Sequence, residues 1–208
     1  MNDDEPALAR LSTAGFDVAH TFDAHAAARE PGWEWLAEGP PVGILIGNSR
    51  ALWPAFIAAR RDEPDALDRY TERALTAAYP GAPIYFAHRA YEGSFLPFSR
   101  LAAATGLGAL APSHLVIHPI YGPWFALRAL VLSDGTAPVR APIPQPCTCD
   151  GGCAAAFAAA TTDADARDWR CWLAVRDACS LRTHRYGEEQ LRYHYTRMWG
   201  PTTRSDEG

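Results

Sequence analysis

The sequence predicts an α+β fold, a β-sheet covered by helices, and three observations carry that expectation. Residues 42–46 (VGILI) are a short apolar run of strand length, suited to burial on both faces. Residues 124–132 are a second such run, in which Phe125, Leu127, Ala129 and Val131 alternate onto one face and Trp124, Ala126, Arg128, Leu130 and Leu132 onto the other. From Pro64, Leu67, Tyr70, Ala74, Leu75 and Ala78 follow at helical spacing and share one face. With no internal repeat and no linker, residues 1–208 are expected to form one domain with a frayed tail from about 200.

In chain order, residues 6–14 read as a helix stopped at Gly15, and residues 16–22 as a strand. His20 and His25 have no partner at metal-ligand spacing and read as exposed loop histidines. Residues 30–41, with Trp33 and Trp35 among prolines and glycines, read as an irregular crossing. After the strand at 42–46, Gly47, Asn48 and Ser49 supply turn and helix-cap chemistry; one glycine falls far short of a phosphate loop. Helices follow to Arg60 and from Pro64 to the Pro80-Gly81 stop. Residues 83–88 (PIYFAH) are a strand, 92–97 a loop, and 98–104 a helix closed by Gly106, Leu107 and Gly108, where two glycines permit a left-handed end and close approach of backbone to something flat. Four prolines within residues 137–146 make an extended crossing, and helical segments are expected at about 154–160, 166–176 and 187–199, the last with a Glu188–Arg192 pair.

The stretch at 113–134 (SHLVIHPIYGPWFALRALVLSD) organises the rest. Residues 115–117 read as a strand that ends in His118-Pro119; the turn at 120–123 then leads into the strand at 124–132, as a hairpin. Pro119 and Pro123 stiffen the loop and leave it unsuited to strand pairing. Two readings stay open for His118, Tyr121, Gly122, Trp124 and Phe125. They pack the hairpin, or they present one face of a rigid loop to a flat ligand. Arg128, a guanidinium in an apolar strand, calls for an acidic or anionic partner.

Net charge −5 and a hydrophobic content of 48% give no reason to expect nucleic acid and suffice for one core. No run reaches the roughly 20 apolar residues of a membrane helix. All nineteen Lys+Arg positions are arginine, which removes lysine as a catalytic candidate. The acidic N-terminus lacks a secretory pattern, and five cysteines, three of them at 147, 149 and 153, point to a reducing, cytoplasmic compartment.

At HPIYGPWFALRALVLSDG the chain resembles the cobalamin-processing proteins of the methylmalonic aciduria and homocystinuria type C (CblC) family, whose segment has the form IHPxFGGWFAIRGVVLLPG. The resemblance extends to Arg167-Asp168-Trp169, to Val175-Arg176-Asp177-Ala178 and to Arg185 through Gln190, where the family shows RDW, YRDAV and RYSEEQ in the same order. The run from Arg100 to Asp134 is also similar, more distantly, to the corrin-binding part of epoxyqueuosine reductases and reductive dehalogenases. Those carry two iron–sulfur clusters on two sets of four cysteines, which five cysteines cannot supply.

The resemblance implies a nitroreductase-like mixed β-sheet flanked by helices that binds cobalamin with its lower base displaced. It implies removal of the upper axial ligand, by thiol-dependent dealkylation or reductive decyanation, in a monomer or ligand-dependent dimer that hands its product to a downstream cobalamin-accepting protein. His118, Pro119, Tyr121, Gly122, Trp124 and Phe125, with Gly106, Leu107 and Gly108, would contact the corrin. Arg176 matches the arginine that the family uses to hold glutathione, a planar bidentate donor for a carboxylate, with Arg185 and Tyr186 beside it; pairing of Arg176 with Asp168 or Asp177 is the alternative. FMN is a further electron source. Cys147, Cys149 and Cys153 are open between redox thiols, a metal site and no special role. A non-catalytic corrinoid, tetrapyrrole or metal chaperone and a flavin-dependent reductase are the competing functions.

Overall fold

The computed structural model describes residues 4–139, 147, 149, 151–162 and 168–198. Its centre is a four-stranded sheet in the order β1-β2-β8-β3, built from β1 (Val18–Asp23), β2 (Val42–Asn48), β8 (Ala126–Ser133) and β3 (Ile84–Phe86). Every ladder in it is antiparallel, where the resemblance implies a mixed sheet. β2 and β8 are the inner pair, and all seven residues of β2 are buried, as its uninterrupted apolar run predicts.

Helices cover both faces. On one, Val42, Ile44, Ile46, Ala129 and Val131 pack against α1 (Glu5–Thr13), α3 (Leu52–Ala59) and α4 (Ala66–Ala78) through Leu11, Phe56, Leu67 and Leu75. Gly15, at φ +89°, ends the turn after α1 so close to α3 that a Cβ there would lie 2.6 Å from the Leu52 Cα. On the other face Leu45, Leu130 and Leu132 meet α2 (Ala24–Ala27), a 3-10 turn at Glu34–Glu38 and α5 (Phe98–Thr105). A third, smaller core joins Trp124 to α7 (Trp169–Asp177) and α8 (Glu188–Thr196) through Leu173 and Leu191. The helix α6 (Cys153–Thr162) precedes α7.

Strict alternation along residues 124–132 does not hold. Ile46 pairs with Ala129 and Gly47 with Leu127, so Arg128 is an extra residue in β8, a β-bulge. The bulge reverses the phase: Phe125 and Leu127 join the face of Leu130 instead of that of Ala129. Gly47 permits it, since a Cβ there would stand 2.6 Å from the Ala126 carbonyl oxygen. The Arg128 side chain donates from Nε to Asn48 Oδ1 at 2.6 Å, and its carbonyl accepts from Ala87 at 2.9 Å.

The hairpin expected across residues 115–132 is also redrawn. β7 (Val116–Ile117) pairs with β6 (Ala109–Leu110), not with β8, and the turn between β7 and β8 is closed by reciprocal His118–Gly122 backbone hydrogen bonds of 2.9 and 2.8 Å. Pro119 and Pro123 keep that turn from extending into a ladder. The expected loop at 92–97 contains a two-stranded ribbon, β4 (Ala90–Tyr91) and β5 (Ser94–Phe95), whose turn residues Glu92 and Gly93 have φ of 51° and 83°, both positive as tight hairpins require. Ser49 does not offer its amide to a ligand; both its N–H and its hydroxyl are bound by Asp17, at 2.7 and 2.5 Å. Glu188 accepts from Arg185 at 2.7 Å. The proline-rich crossing beyond Val139 and the tail from about 200 lie outside the described residues.

Gly47→Ala forces the bulge and β2 apart and is expected to cost about 1–3 kcal/mol, as overpacking does. The urea midpoint should fall at unchanged m-value. Gly187→Ala, at φ −67° with nothing within 4 Å of the added Cβ, is the steric control; it meets only the N-cap preference for glycine over alanine and should cost no more than about 1 kcal/mol.

Candidate functional site

A groove of ≈ 570 Å³ runs between the segment that leads into α5, the β6–β7 ribbon and the bulged half of β8. Leu96, Phe98, Leu110, Leu115, Phe125 and Leu127 give it apolar walls; Ser99, Arg100, His114 and Arg176 add polar groups. This mixture, apolar walls with a few convergent donors, is that of small-molecule sites. The bulge at Arg128 sends Phe125 and Leu127 to the groove side of the sheet.

Of the residues singled out for corrin contact, Phe125 lies on this wall, beside Pro123. His118, Pro119, Tyr121, Gly122 and Trp124 do not line it. Trp124 is wholly buried, edge-on to Tyr186 at 5.9 Å between the sheet and the helices α7 and α8. Gly122, at φ +58°, is pressed against the 181 loop, where a Cβ would meet the Leu181 carbonyl oxygen at 2.6 Å. The His118 Nδ1 accepts the backbone N–H groups of Ile120 and Tyr121 at 3.1 and 3.3 Å, so a neutral ring carries its proton on Nε2 and has no free lone pair for a metal. Burial, then the neighbouring His20 and His184, lower its pKa despite the opposing pull of Asp17. Gly106 caps α5 at φ 96°, Leu107 is core, and Gly108 lets β6 approach β7, with room for no Cβ beside the Ile117 carbonyl. These residues frame the groove instead of lining it.

Arg176 sits in the last turn of α7, donates from Nη1 to the Pro123 carbonyl and lines the groove. Neither acid offered by the sequence takes it: Asp168 caps α7 and pairs with Arg170 at 3.6 Å, and Asp177 pairs with Arg185 at 2.8 Å. Arg176 makes no ion pair among the described residues. Arg185, matched with it by motif, is already engaged by both Asp177 and Glu188 and lies over the Trp124 ring at 5.5 Å; these carboxylates raise its pKa. Its role here is to tie α7 to α8. Tyr186 is buried, and burial pushes its pKa up to about 12 although Arg176 and Arg128 pull it down. The Tyr186 hydroxyl, the Trp124 Nε1 and the Arg128 Nη2 find no partner among the described residues.

Cys147 and Cys149 touch, Sγ to Sγ at 3.4 Å, over a small pocket of ≈ 10 Å³ that Cys153 and Cys179 also line. Leu115 and Pro123 form a wall common to this pocket and the groove. Among the described residues no three His, Cys, Asp or Glu side chains are grouped to hold a metal ion. The Cys149 N–H favours the Cys147 thiolate, but the Cys149 thiol against it, burial and nearby Cys153 outweigh that and raise its pKa.

Leu96, Ser99, Arg100, Leu110, His114 and Leu127 line the groove without having been singled out in the sequence. Only the Glu92-Gly93 turn pointed locally to a ribbon beside it. His114 is the subtlest of them, exposed and left-handed at φ 60°, a conformation no sequence pattern there signals.

The groove is open, with mixed apolar and polar walls, and the Arg176 guanidinium is part of its lining. Over 90% of this chain and 88% of the other, with a TM-score of 0.60 and 15% identity, the structure is similar to the crystal structure of a C. elegans B12-trafficking protein CblC, described as a human MMACHC homologue. The likeness establishes the fold and bears out the α+β fold that the CblC resemblance implied. No family model matches the chain, and no curated protein is significantly similar to it. No helix among the described residues is long and apolar enough to cross a membrane.

Trp124→Ala is expected to remove about 3–5 kcal/mol of stability, measured by urea denaturation, because it empties the third core. The pH dependence has a definite sign. His194, crowded by Arg128, Arg176 and Arg197 and packed edge-on to Tyr186 at 5.6 Å, is desolvated and held well below its ordinary 6.5. The unfolded chain then binds protons first on acidification. Stability is full above the unfolded pKa of 6.5 and falls below it, by at most about 1.4 kcal/mol per pH unit for this ring. A folded His194→Gln variant should show a flatter stability profile between about pH 6.5 and 5.

Proposed function

We propose that the chain binds a corrinoid in the groove and removes its upper axial ligand with a small carboxylate-bearing thiol held at Arg176. The observation that carries this is Arg176: a half-buried guanidinium on the groove wall, fixed by the Pro123 carbonyl and without an ion pair among the described residues. The fold shared with a B12-trafficking protein supplies the substrate class.

Each part of the chemistry has a counterpart in the chain. Phe98, Phe125, Leu96 and Leu127 offer an apolar surface to a flat macrocycle, and Ser99 and Arg100 offer donors to its amide rim. His118 stands off the groove wall with its ring held in the turn, so it does not ligate cobalt. The Arg176 nitrogens not used on Pro123 receive the thiol's carboxylate and place its sulfur at the corrin face. In dealkylation the thiolate attacks the cobalt-bound carbon, the Co–C bond breaks with its electron pair left on cobalt, and a thioether departs. The product corrinoid would pass to an accepting protein.

Methylcobalamin should shift its visible absorption to shorter wavelength on binding, through loss of the lower base, and His114→Ala should keep that shift. An unchanged spectrum at saturating protein, with binding shown by equilibrium dialysis, would sink the base-off reading. Arg176→Ala should raise the thiol concentration for half-maximal dealkylation about 10–100-fold, the worth of a charge-assisted hydrogen bond, and leave corrinoid affinity within about twofold. Tight base-off binding without dealkylation or decyanation under any thiol would leave a chaperone, and a yellow protein indifferent to cobalamin would point to a flavin reductase.

A further inference from the structure

The cysteine pocket has a chemistry that the groove does not use. Its thiols form a graded set: Cys149 is exposed, Cys147 half-buried in contact with it, and Cys153 and Cys179 buried beneath. The 3.4 Å between the Cys147 and Cys149 sulfurs must close by roughly 1.4 Å to reach the ~2.05 Å of a disulfide bond. The local backbone suits that movement. Gly151 faces the Cys149 sulfur, and a Cβ there would lie 3.3 Å from it; Gly152, at φ +74° with open space around it, joins this segment to α6.

We infer that Cys147 and Cys149 are a thiol–disulfide exchange centre whose substrate is a small, low-molecular-weight disulfide, with Cys149 attacking and Cys147 resolving. The Cys149 thiolate attacks one sulfur of the disulfide RSSR. The S–S bond breaks, RS⁻ leaves and takes up a proton from solvent, and Cys149 carries a mixed disulfide. Cys147 then gives up its proton and attacks the Cys149 sulfur, releasing the second RS⁻. RSSR becomes two RSH, the two cysteines become one disulfide, and no other oxidant or reductant enters. The order of attack follows exposure: a molecule in solvent reaches Cys149, while Cys147 is already in contact with the sulfur it must resolve. The small pocket admits no bulky substituent beneath them, so the disulfide approaches from the solvent side. This centre does not depend on the groove's ligand.

The test uses the reduced full-length protein, hydroxyethyl disulfide as the probe and intact-protein mass spectrometry after acid quenching. Wild type and Cys153→Ser should each lose the mass of two hydrogen atoms. Cys147→Ser should stop at one hydroxyethylthio adduct, and Cys149→Ser should react about tenfold more slowly or not at all. A wild-type protein that stays reduced or stops at the adduct overturns the proposal. So does a Cys147→Ser protein that still loses two hydrogens, since another cysteine would then be the resolving thiol. Circular dichroism of each variant separates these outcomes from misfolding.

Discussion

One extra residue in β8 decides which way the functional half of the strand faces. With Ile46 opposite Ala129 and Gly47 opposite Leu127, Arg128 has no partner in β2, and every side chain before it is turned over relative to those after it. Without the bulge, Phe125 and Leu127 would lie under α4 with Ala129, and the groove would lose its rear wall. Arg128 would face α5, among apolar side chains with no acceptor. With it, the guanidinium bonds to Asn48 on the neighbouring strand. Gly47 and Asn48 are thus the complement of the bulge: the first leaves room for it and the second supplies its acceptor.

Pro123 is the junction at which the three candidate chemistries meet. Its carbonyl holds Arg176, its ring lies on the groove wall, and the same residue borders the cysteine pocket. A proline suits this position because no N–H is left unsatisfied and its fixed φ stiffens the exit from the His118–Gly122 turn. The acids nearest the cation are diverted: Asp177 and Glu188 to Arg185, Asp168 to the N-terminus of α7. A chain of net charge −5 therefore keeps a guanidinium on the groove wall with no described carboxylate paired to it.

The sheet and its helices were legible because they rest on periodicity. The run at 42–46, the apolar face of α4 and the helix stop at Gly106 all appear where pattern and punctuation place them. The bulge was not legible, since it is a mismatch between two strands and each strand alone looks regular. The pairing of β7 with β6 was hidden for the same reason: adjacency in sequence favoured a hairpin that Pro119 and Pro123 prevent. At the site, Arg176 and Phe125 were found from motif resemblance. Leu96, Arg100 and His114 were missed because they come from separate segments whose convergence only the tertiary fold creates.

The motif residues and the groove residues divide the work. His118 fixes the turn through its ring Nδ1, which accepts the Ile120 and Tyr121 N–H groups, Gly122 admits the 181 loop, and Trp124 anchors α7 and α8 to the sheet. Each has a strict steric or hydrogen-bonding demand that few other side chains meet, so each leaves a recognisable mark in sequence. The groove walls ask only for apolar bulk of suitable size, which Leu, Ile, Val or Phe supply nearly interchangeably. A shared fold at 15% identity is the expected result of that division. The frame that positions a ligand is written in specific residues, while the surface that touches it is written in a composition. If the groove binds a corrinoid as proposed, substrate preference would rest with Ser99, Arg100, His114 and Arg176, the groove residues whose chemistry cannot be exchanged for bulk.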